Sequence, residues 1–241
     1  MIPRIEIDGF KSFERFSLSL PPFAVIIGPN AAGKSNLFHA LRLFWRDAQT
    51  HLNSAMRELR GEPLELFRRW PDGSIARRIR FAVETLLEPV VQDDFGQVKE
   101  LSCTRLRYEI SIVRRADDGI ERFFVDEEQA SKIERKDDNW KPYGKPVAKA
   151  FAKRHLQYKS RQPYYLATLE EDGRRIFELR QDGNSGNKRR LSAAAAHRSV
   201  LTGIEAAEEY SHLYGLKREL ISLRYLQLDA AAERQPSRTD A

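Results

Sequence analysis

The chain has 241 residues, of which 41% are hydrophobic, 10% aromatic and 32% charged, a balance that supports a substantial core beneath a well-solvated surface. Its 41 Lys and Arg against 35 Asp and Glu give a net charge of +6, which favours polyanions without establishing that one binds. The single cysteine, Cys103, excludes an intrachain disulfide framework and a cysteine-rich zinc site, and no apolar run approaches the ~18 residues that span a bilayer.

The start, MIPRIEIDGF, lacks the charged and apolar regions of a signal peptide, so a cytoplasmic location without membrane contact is expected. Ile2, Ile5 and Ile7 open a short strand, GFKSF (9–13) interrupts it, and Phe16, Leu18 and Leu20 alternate with polar residues as a second strand. Pro21 and Pro22 end that strand. FAVII (23–27) then forms a continuous apolar run of the kind buried on both faces of a sheet.

Gly28, Pro29, Asn30, Ala31, Ala32, Gly33, Lys34 and Ser35 match G-x-x-x-x-G-K-[ST], and Asn36 follows. Glycines at both ends let the backbone wrap closely around a phosphate, and the next helix presents its unpaired N–H groups to the anion. In this pattern Lys34 contacts the β- and γ-phosphates, and the Ser35 hydroxyl is a ligand of Mg²⁺. Leu37, Ala40, Leu41 and Phe44 recur at helical spacing, which supplies the required helix. No N-K-x-D guanine motif accompanies the loop, since NKRR (187–190) lacks the aspartate.

Residues 76–125 read as a mostly antiparallel sheet: ARRIRFAVETLL, TRLRYEISIVRR and IERFFV, with turns at DDFG (93–96) and ADDG (116–119). Asp126, Glu127 and Glu128 are expected to begin a helix running through Ala130 and Ile133, where early acidic residues suit the helix dipole. Residues 139–169 contain no acidic residue and seven basic ones, Lys141, Lys145, Lys149, Lys153, Arg154, Lys159 and Arg161. Lys145, Lys149 and Lys153 stripe one face of a helix and, with Arg154, form the candidate nucleic-acid contact. Trp140, Tyr143, Phe151 and Tyr158 either stack on bases or pin a solvated helix to the core, and both readings stand. YYLATLEEDGRRIFELRQDG (164–183) looks like a hairpin turning at Asp172-Gly173, and a helix is expected from about Ile204 to Leu220. NSGN (184–187) reads as a loop, SLRYLQLDA (222–230) as an ordinary strand end, and ERQPSRTDA (233–241) as a polar tail. His39, His51, His155, His197 and His212 are scattered without a metal-ligand spacing.

IEIDGFKSF, a short polar strand and FAVIIGPNAAGKSNLFHAL together resemble the SMC/RecF branch of ABC-type ATPases, over residues 1–46. LFRRWPDGS (66–74), LRYEISI (106–112), Ser-Val-Leu at 199–201 and SLRYLQLDAAAERQPS (222–237) narrow the resemblance to prokaryotic AAA-family ATPases related to the overcoming-lysogenisation-defect proteins. The resemblance implies an α/β P-loop NTPase of ABC/SMC type, with an antiparallel β layer and helical insertions. The implied ligands are ATP and Mg²⁺. It makes Lys11 a candidate phosphate or ribose contact, although Lys11 reads equally as a solvated loop lysine.

An ABC-type head also needs a signature helix start, a strand ending in Asp-Glu, and a glutamine that reaches Mg²⁺. LSCT (101–104) and FFVDEE (123–128) tempt, but RLRYEISIV between them alternates as a strand rather than as the required helix. The glutamine has no firm place among Gln129, Gln157 and Gln162. Residues 1–241 are therefore expected to form the N-terminal lobe of a head: a P-loop core (1–46), the sheet (76–125), the basic insertion (139–169), and a helix with a terminal strand (203–241). The lobe is expected to bind ATP and hydrolyse it poorly alone, as the N-terminal part of a longer ATPase or with a second polypeptide supplying the signature and the catalytic carboxylate. A second head is the expected partner and DNA a further candidate. The alternative is a non-hydrolysing DNA- or partner-binding module with an occupied nucleotide site. Genome maintenance or phage defence is the implied setting.

Overall fold

A computed structural model describes residues 1–59, 61–117, 120–140, 145–183 and 187–223. The elements are β1 (Arg4–Asp8), β2 (Phe16–Ser19), α1 (Lys34–Asp47), α2 (Leu52–Arg57), β3 (Arg78–Leu86), β4 (Val90–Gln92) and β5 (Val98–Glu100). They continue as β6 (Arg105–Asp117), β7 (Ile120–Lys132), α3 (Lys145–His155), β8 (Tyr164–Glu171), β9 (Arg174–Arg180), β10 (Lys188–Ser192) and α4 (Ser211–Ile221). Eight strands form one sheet in the order β10-β9-β8-β7-β6-β3-β1-β2, antiparallel throughout, and β4 and β5 make a separate hairpin.

Alternation decides which face is dry. Ile5 and Ile7 of β1, Ile79, Phe81 and Val83 of β3, and Leu106, Tyr108, Ile110 and Ile112 of β6 are buried on one side. Arg4, Glu6, Arg80, Arg107 and Glu109 take the other side and pair across strands, with Arg107 Nη2 donating to Glu6 Oε2 at 2.6 Å. Leu37, Ala40, Leu43 and Phe44 of α1 cover the dry face, and the Phe44 ring meets Phe81 at 5.7 Å and Tyr108 at 5.5 Å, both edge-on. The last turn of α1 also meets α4, where Trp45 Nε1 donates to Ile221 O (2.9 Å).

The antiparallel layer and the β8–β9 hairpin follow the sequence reading, and the hairpin turns through Asp172 (φ 50°) and Gly173 (φ 71°). Three expectations are corrected. Residues 126–132 are strand, not helix: Ile112 pairs with Val125 and Ser111 with Glu127, so Asp126 is the extra residue of a β-bulge. The bulge resets the alternation and turns Glu128 into the core, so the acidic run does not begin a helix.

The last described helix starts at Ser211 rather than near Ile204, after a 3₁₀ turn at Val200–Gly203. Backbone groups in between are committed elsewhere. Ile204 O accepts from Lys217 Nζ (2.8 Å), and Ala207 N donates to Asp93 Oδ2 (2.9 Å).

Third, Phe23–Ile27 is not a buried strand. Phe23 is 81% exposed, Val25 70% and Ile27 87%, and no strand pairs with the segment among the described residues. An apolar run is buried only where neighbouring strands exist to flank it, and the sheet's edge at β2 ends before this segment begins. The turn at Asp118-Gly119, most of NSGN, Lys141, Tyr143, and the SLRYLQLDA and ERQPSRTDA stretches from residue 224 onward lie outside the described residues.

Candidate functional site

The loop from Gly28 to Ser35 stands between the exposed Phe23–Ile27 segment and α1. Ala31 (φ 66°) and Gly33 (φ 90°) both take the left-handed conformation, and Gly33 is the N-cap of α1. The glycine matters at position 33, because a Cβ there meets Ser12 Oγ at 3.3 Å in a backbone conformation that L side chains rarely adopt. No side chain caps α1 and no acidic residue occupies its first turn. Its leading N–H groups are therefore left for an anion, which is the donor set a nucleotide phosphate requires. Lys34 folds over the loop, with Nζ donating to Gly28 O (2.6 Å) and Pro29 O (2.7 Å). These neutral carbonyls give way readily to a phosphate, for which an ammonium has the stronger attraction. The chain thus fits a bound nucleotide, and exposed Ser35 on the first turn fits a hydroxyl ligand for its Mg²⁺.

The GFKSF loop lies beside this helix start. Gly9 (φ 70°) lets the loop leave β1 tight against the start of β3, since a Cβ would sit 2.2 Å from Arg78 O. Beyond it, Lys11 N donates to Leu66 O (2.8 Å) and Arg68 N to Gly9 O (2.8 Å), so the loop is stitched to residues 66–68. Arg68 adds side-chain bonds to Ser12 O (2.6 Å) and Glu14 Oε2 (2.9 Å). Two further bonds reach α1: Asn36 Nδ2 donates to Ser12 Oγ (2.9 Å), and Lys11 Nζ lies 2.9 Å from His39 Nδ1. Lys11 and Asn36 are thus brought to one helix flank, together with Ser12 and His39, which sequence reasoning passed over. A polar residue in the second turn of an amphipathic helix carries no pattern that announces a partner 28 positions earlier.

The basic insertion is organised differently. Lys149, Lys153 and Arg154 are exposed on α3, and Lys145 is its first residue. Three described aromatics around it are occupied by packing: Phe151 stacks on His155 (4.6 Å) and meets Trp140 edge-on (6.2 Å). Trp140 lies under the Arg105 guanidinium (5.3 Å), and Tyr158 donates to Asp138 Oδ2 (2.6 Å). Burial and then the Asp138 carboxylate push the Tyr158 hydroxyl above its ordinary pKa.

The acidic run of β7 serves the sheet. Asp126 is buried and ion-paired with three arginines, Arg78 (2.8 Å), Arg115 (3.1 Å) and Arg175. Glu127 pairs with Arg78 (2.9 Å). Glu128 accepts from Tyr108 OH (2.8 Å), Ser199 Oγ (2.7 Å) and Val200 N (2.7 Å). Burial raises the Glu128 pKa, and these three donors oppose the rise. Of the glutamines, Gln129 is exposed on β7, Gln157 N donates to Thr104 Oγ1 (2.9 Å), and Gln162 Nε2 donates to Gln181 O (2.8 Å). Among the described residues no helix is long and apolar enough to cross a membrane.

A family model described as an AAA ATPase domain matches residues 1–170. The chromosome partition protein Smc of Methanocaldococcus jannaschii is 46% identical over 41 residues, 17% of this chain and 4% of that protein. The chromosome segregation protein sudA of Emericella nidulans is 41% identical over 61 residues, 24% of this chain and 5% of that protein. The matched segments therefore cover a small part of either relative. A solved structure described as "Structural biochemistry of ATP-driven dimerization and DNA stimulated activation of SMC ATPases" shares 22% identity at a TM-score of 0.32, covering 52% of this chain and 68% of the solved one.

Proposed function

The chain belongs to the AAA ATPase domain family, and from that premise we propose that it is the ATP-binding N-terminal lobe of an SMC/RecF-like head, a nucleotide-dependent switch in a DNA-associated process. The observation that carries this reading is the glycine-bounded loop Gly28–Ser35 opening an uncapped α1, with Lys34 over the loop carbonyls. Such a site binds the phosphates by oriented N–H groups and one ammonium. Mg²⁺, when bound with the nucleotide, neutralises charge between the β- and γ-phosphates. Ser35 is its protein ligand in this reading, and Lys11 is a phosphate or ribose contact from the GFKSF loop.

The work of hydrolysis falls to residues outside this set. Asp126 and Glu127 are engaged by arginines of the sheet, and Leu101–Thr104 precedes a strand. The signature and the catalytic carboxylate come from outside these residues. The exposed Phe23, Val25 and Ile27 support this, because an apolar run that leads into a phosphate loop is suited to burial within a sheet. The names of the two relatives, chromosome partition and chromosome segregation proteins, support a DNA-associated setting. Within it we favour repair or phage defence, from the likeness to the overcoming-lysogenisation-defect group. Lys145, Lys149, Lys153 and Arg154 are the proposed DNA contacts, made by charge, since the neighbouring Trp140 and Phe151 rings are packed.

The test is calorimetric titration with ATP and magnesium, alongside steady-state turnover. The wild-type chain is expected to bind ATP and turn it over slowly, and Lys34→Ala to lose binding. Retained affinity in Lys34→Ala defeats the site assignment. Rapid turnover that Glu127→Gln abolishes defeats the two-part head.

A further inference from the structure

The GFKSF loop has a fixed backbone and one side chain whose direction is set from α1. Lys11 sits at φ 46°, a left-handed conformation uncommon for lysine, and its N–H is committed to Leu66 O (2.8 Å). One residue on, Ser12 is held by Asn36 Nδ2 (2.9 Å) and by Arg68 Nη1 at its carbonyl (2.6 Å). The path of the loop past the start of α1 is thus determined by its backbone and by Ser12. The Lys11 ammonium is placed by a different contact, the 2.9 Å approach to His39 Nδ1, with the Phe10 ring 5.8 Å away. An ammonium donates and never accepts, so Nδ1 must present its lone pair and the ring proton resides on Nε2.

We infer that His39 is a positioning residue for nucleotide binding: its neutral imidazole aims Lys11 along the flank of α1 that leads to Gly28–Ser35. The inference rests on the ATP-site reading above and adds a residue to it. A lysine loses several rotatable bonds' worth of freedom when it takes up a ligand oxygen. His39 removes part of that freedom beforehand, so the ammonium meets the nucleotide already oriented. His39 acts through Lys11 and touches no reacting atom. Its effect is therefore absent when Lys11 is absent.

The experiment measures ATP dissociation constants by calorimetry for the wild type and for Lys34→Ala, Lys11→Ala, His39→Ala, His39→Asn, His39→Gln and the Lys11→Ala/His39→Ala pair. Thermal melts restrict the comparison to folded variants. His39→Ala is expected to weaken ATP about fivefold, the scale of one lost hydrogen bond, and Lys11→Ala at least as much. The double variant should be no weaker than Lys11→Ala. His39→Asn, whose amide oxygen takes the place of Nδ1, should restore affinity to within about twofold, given the same hydrogen-bond scale. His39→Gln, with its oxygen nearer the place of Nε2, should behave as His39→Ala and serves as the second variant if that one does not fold. Wild-type affinity in the alanine and glutamine variants, or losses that add in the double variant, overturn the inference. Wild-type affinity in Lys34→Ala overturns the ATP-site reading itself, a result that needs no His39 variant to recognise.

Discussion

Asp47 is a carboxylate in a place unfavourable to its charge. It ends α1, where the helix dipole is already negative, it is only 5% exposed, and its Oδ1 has no hydrogen-bond partner among the described residues. Burial, and then the charge of Glu128, holds its pKa well above the ordinary value of 3.8. A folded-state pKa raised in this way favours the neutral acid. The associated stability is complete below the unfolded pKa and is lost as pH rises through the folded one. Asp47→Asn keeps the shape and removes the titration. Melting curves from pH 4 to pH 8 should show the variant gaining over the wild type as pH rises, by about 2–4 °C for each kcal/mol recovered. A difference that does not change with pH would exclude ionisation of Asp47 as its source.

At the scale of elements, β6 joins the sheet to the basic insertion through one buried cation. Arg105 opens β6 with its side chain fully buried, donating to Asp138 Oδ2 (2.7 Å), Glu84 Oε2 (2.9 Å) and Thr85 O (2.8 Å). Asp138 in turn receives Tyr158 OH and the backbone N–H of Trp140 (3.1 Å). Removing one partner of such a group leaves the others desolvated and unpaired, so Arg105→Ala should cost about 3–5 kcal/mol in urea unfolding. A cost below about 1 kcal/mol, the scale of an exposed pair, would mean the group is hydrated rather than buried. The same elements show what periodicity can carry. β3 and β6 were legible because polar and apolar residues alternate along them, and β8 and β9 because Asp172-Gly173 marks the turn between them, whereas β7 was legible only as far as Val125, because the bulge at Asp126 breaks its period within a run of three acidic residues. The start of α4 was obscured similarly, by Ile204 and Ala207, apolar residues whose backbone groups bond to Lys217 and Asp93.

For the whole molecule, the segment before the phosphate loop matters most. Phe23, Val25 and Ile27 are apolar yet exposed, so they contribute little to the stability of the chain as it stands. Phe23→Ser should leave the unfolding free energy within about 0.5 kcal/mol of the wild type, as for a surface substitution. A loss of about 3–5 kcal/mol, the scale of a deleted core phenylalanine, would show that the segment is buried in solution, by this chain or by a second copy.

The sequence by itself determined the local order: a glycine-bounded loop opening an amphipathic helix, strands wherever polar and apolar residues alternate, and a hairpin at Asp172-Gly173. These depend on neighbours a few positions apart, within reach of backbone sterics and period. Only the tertiary structure decided that Lys11 meets His39, that Glu128 enters the core, that Trp140 and Phe151 are spent on packing, and that FAVII lies uncovered. Each of these depends on a contact, or the lack of a flanking strand, that the chain makes across tens of residues. Residue spacing along one segment holds no record of what the fold sets beside it.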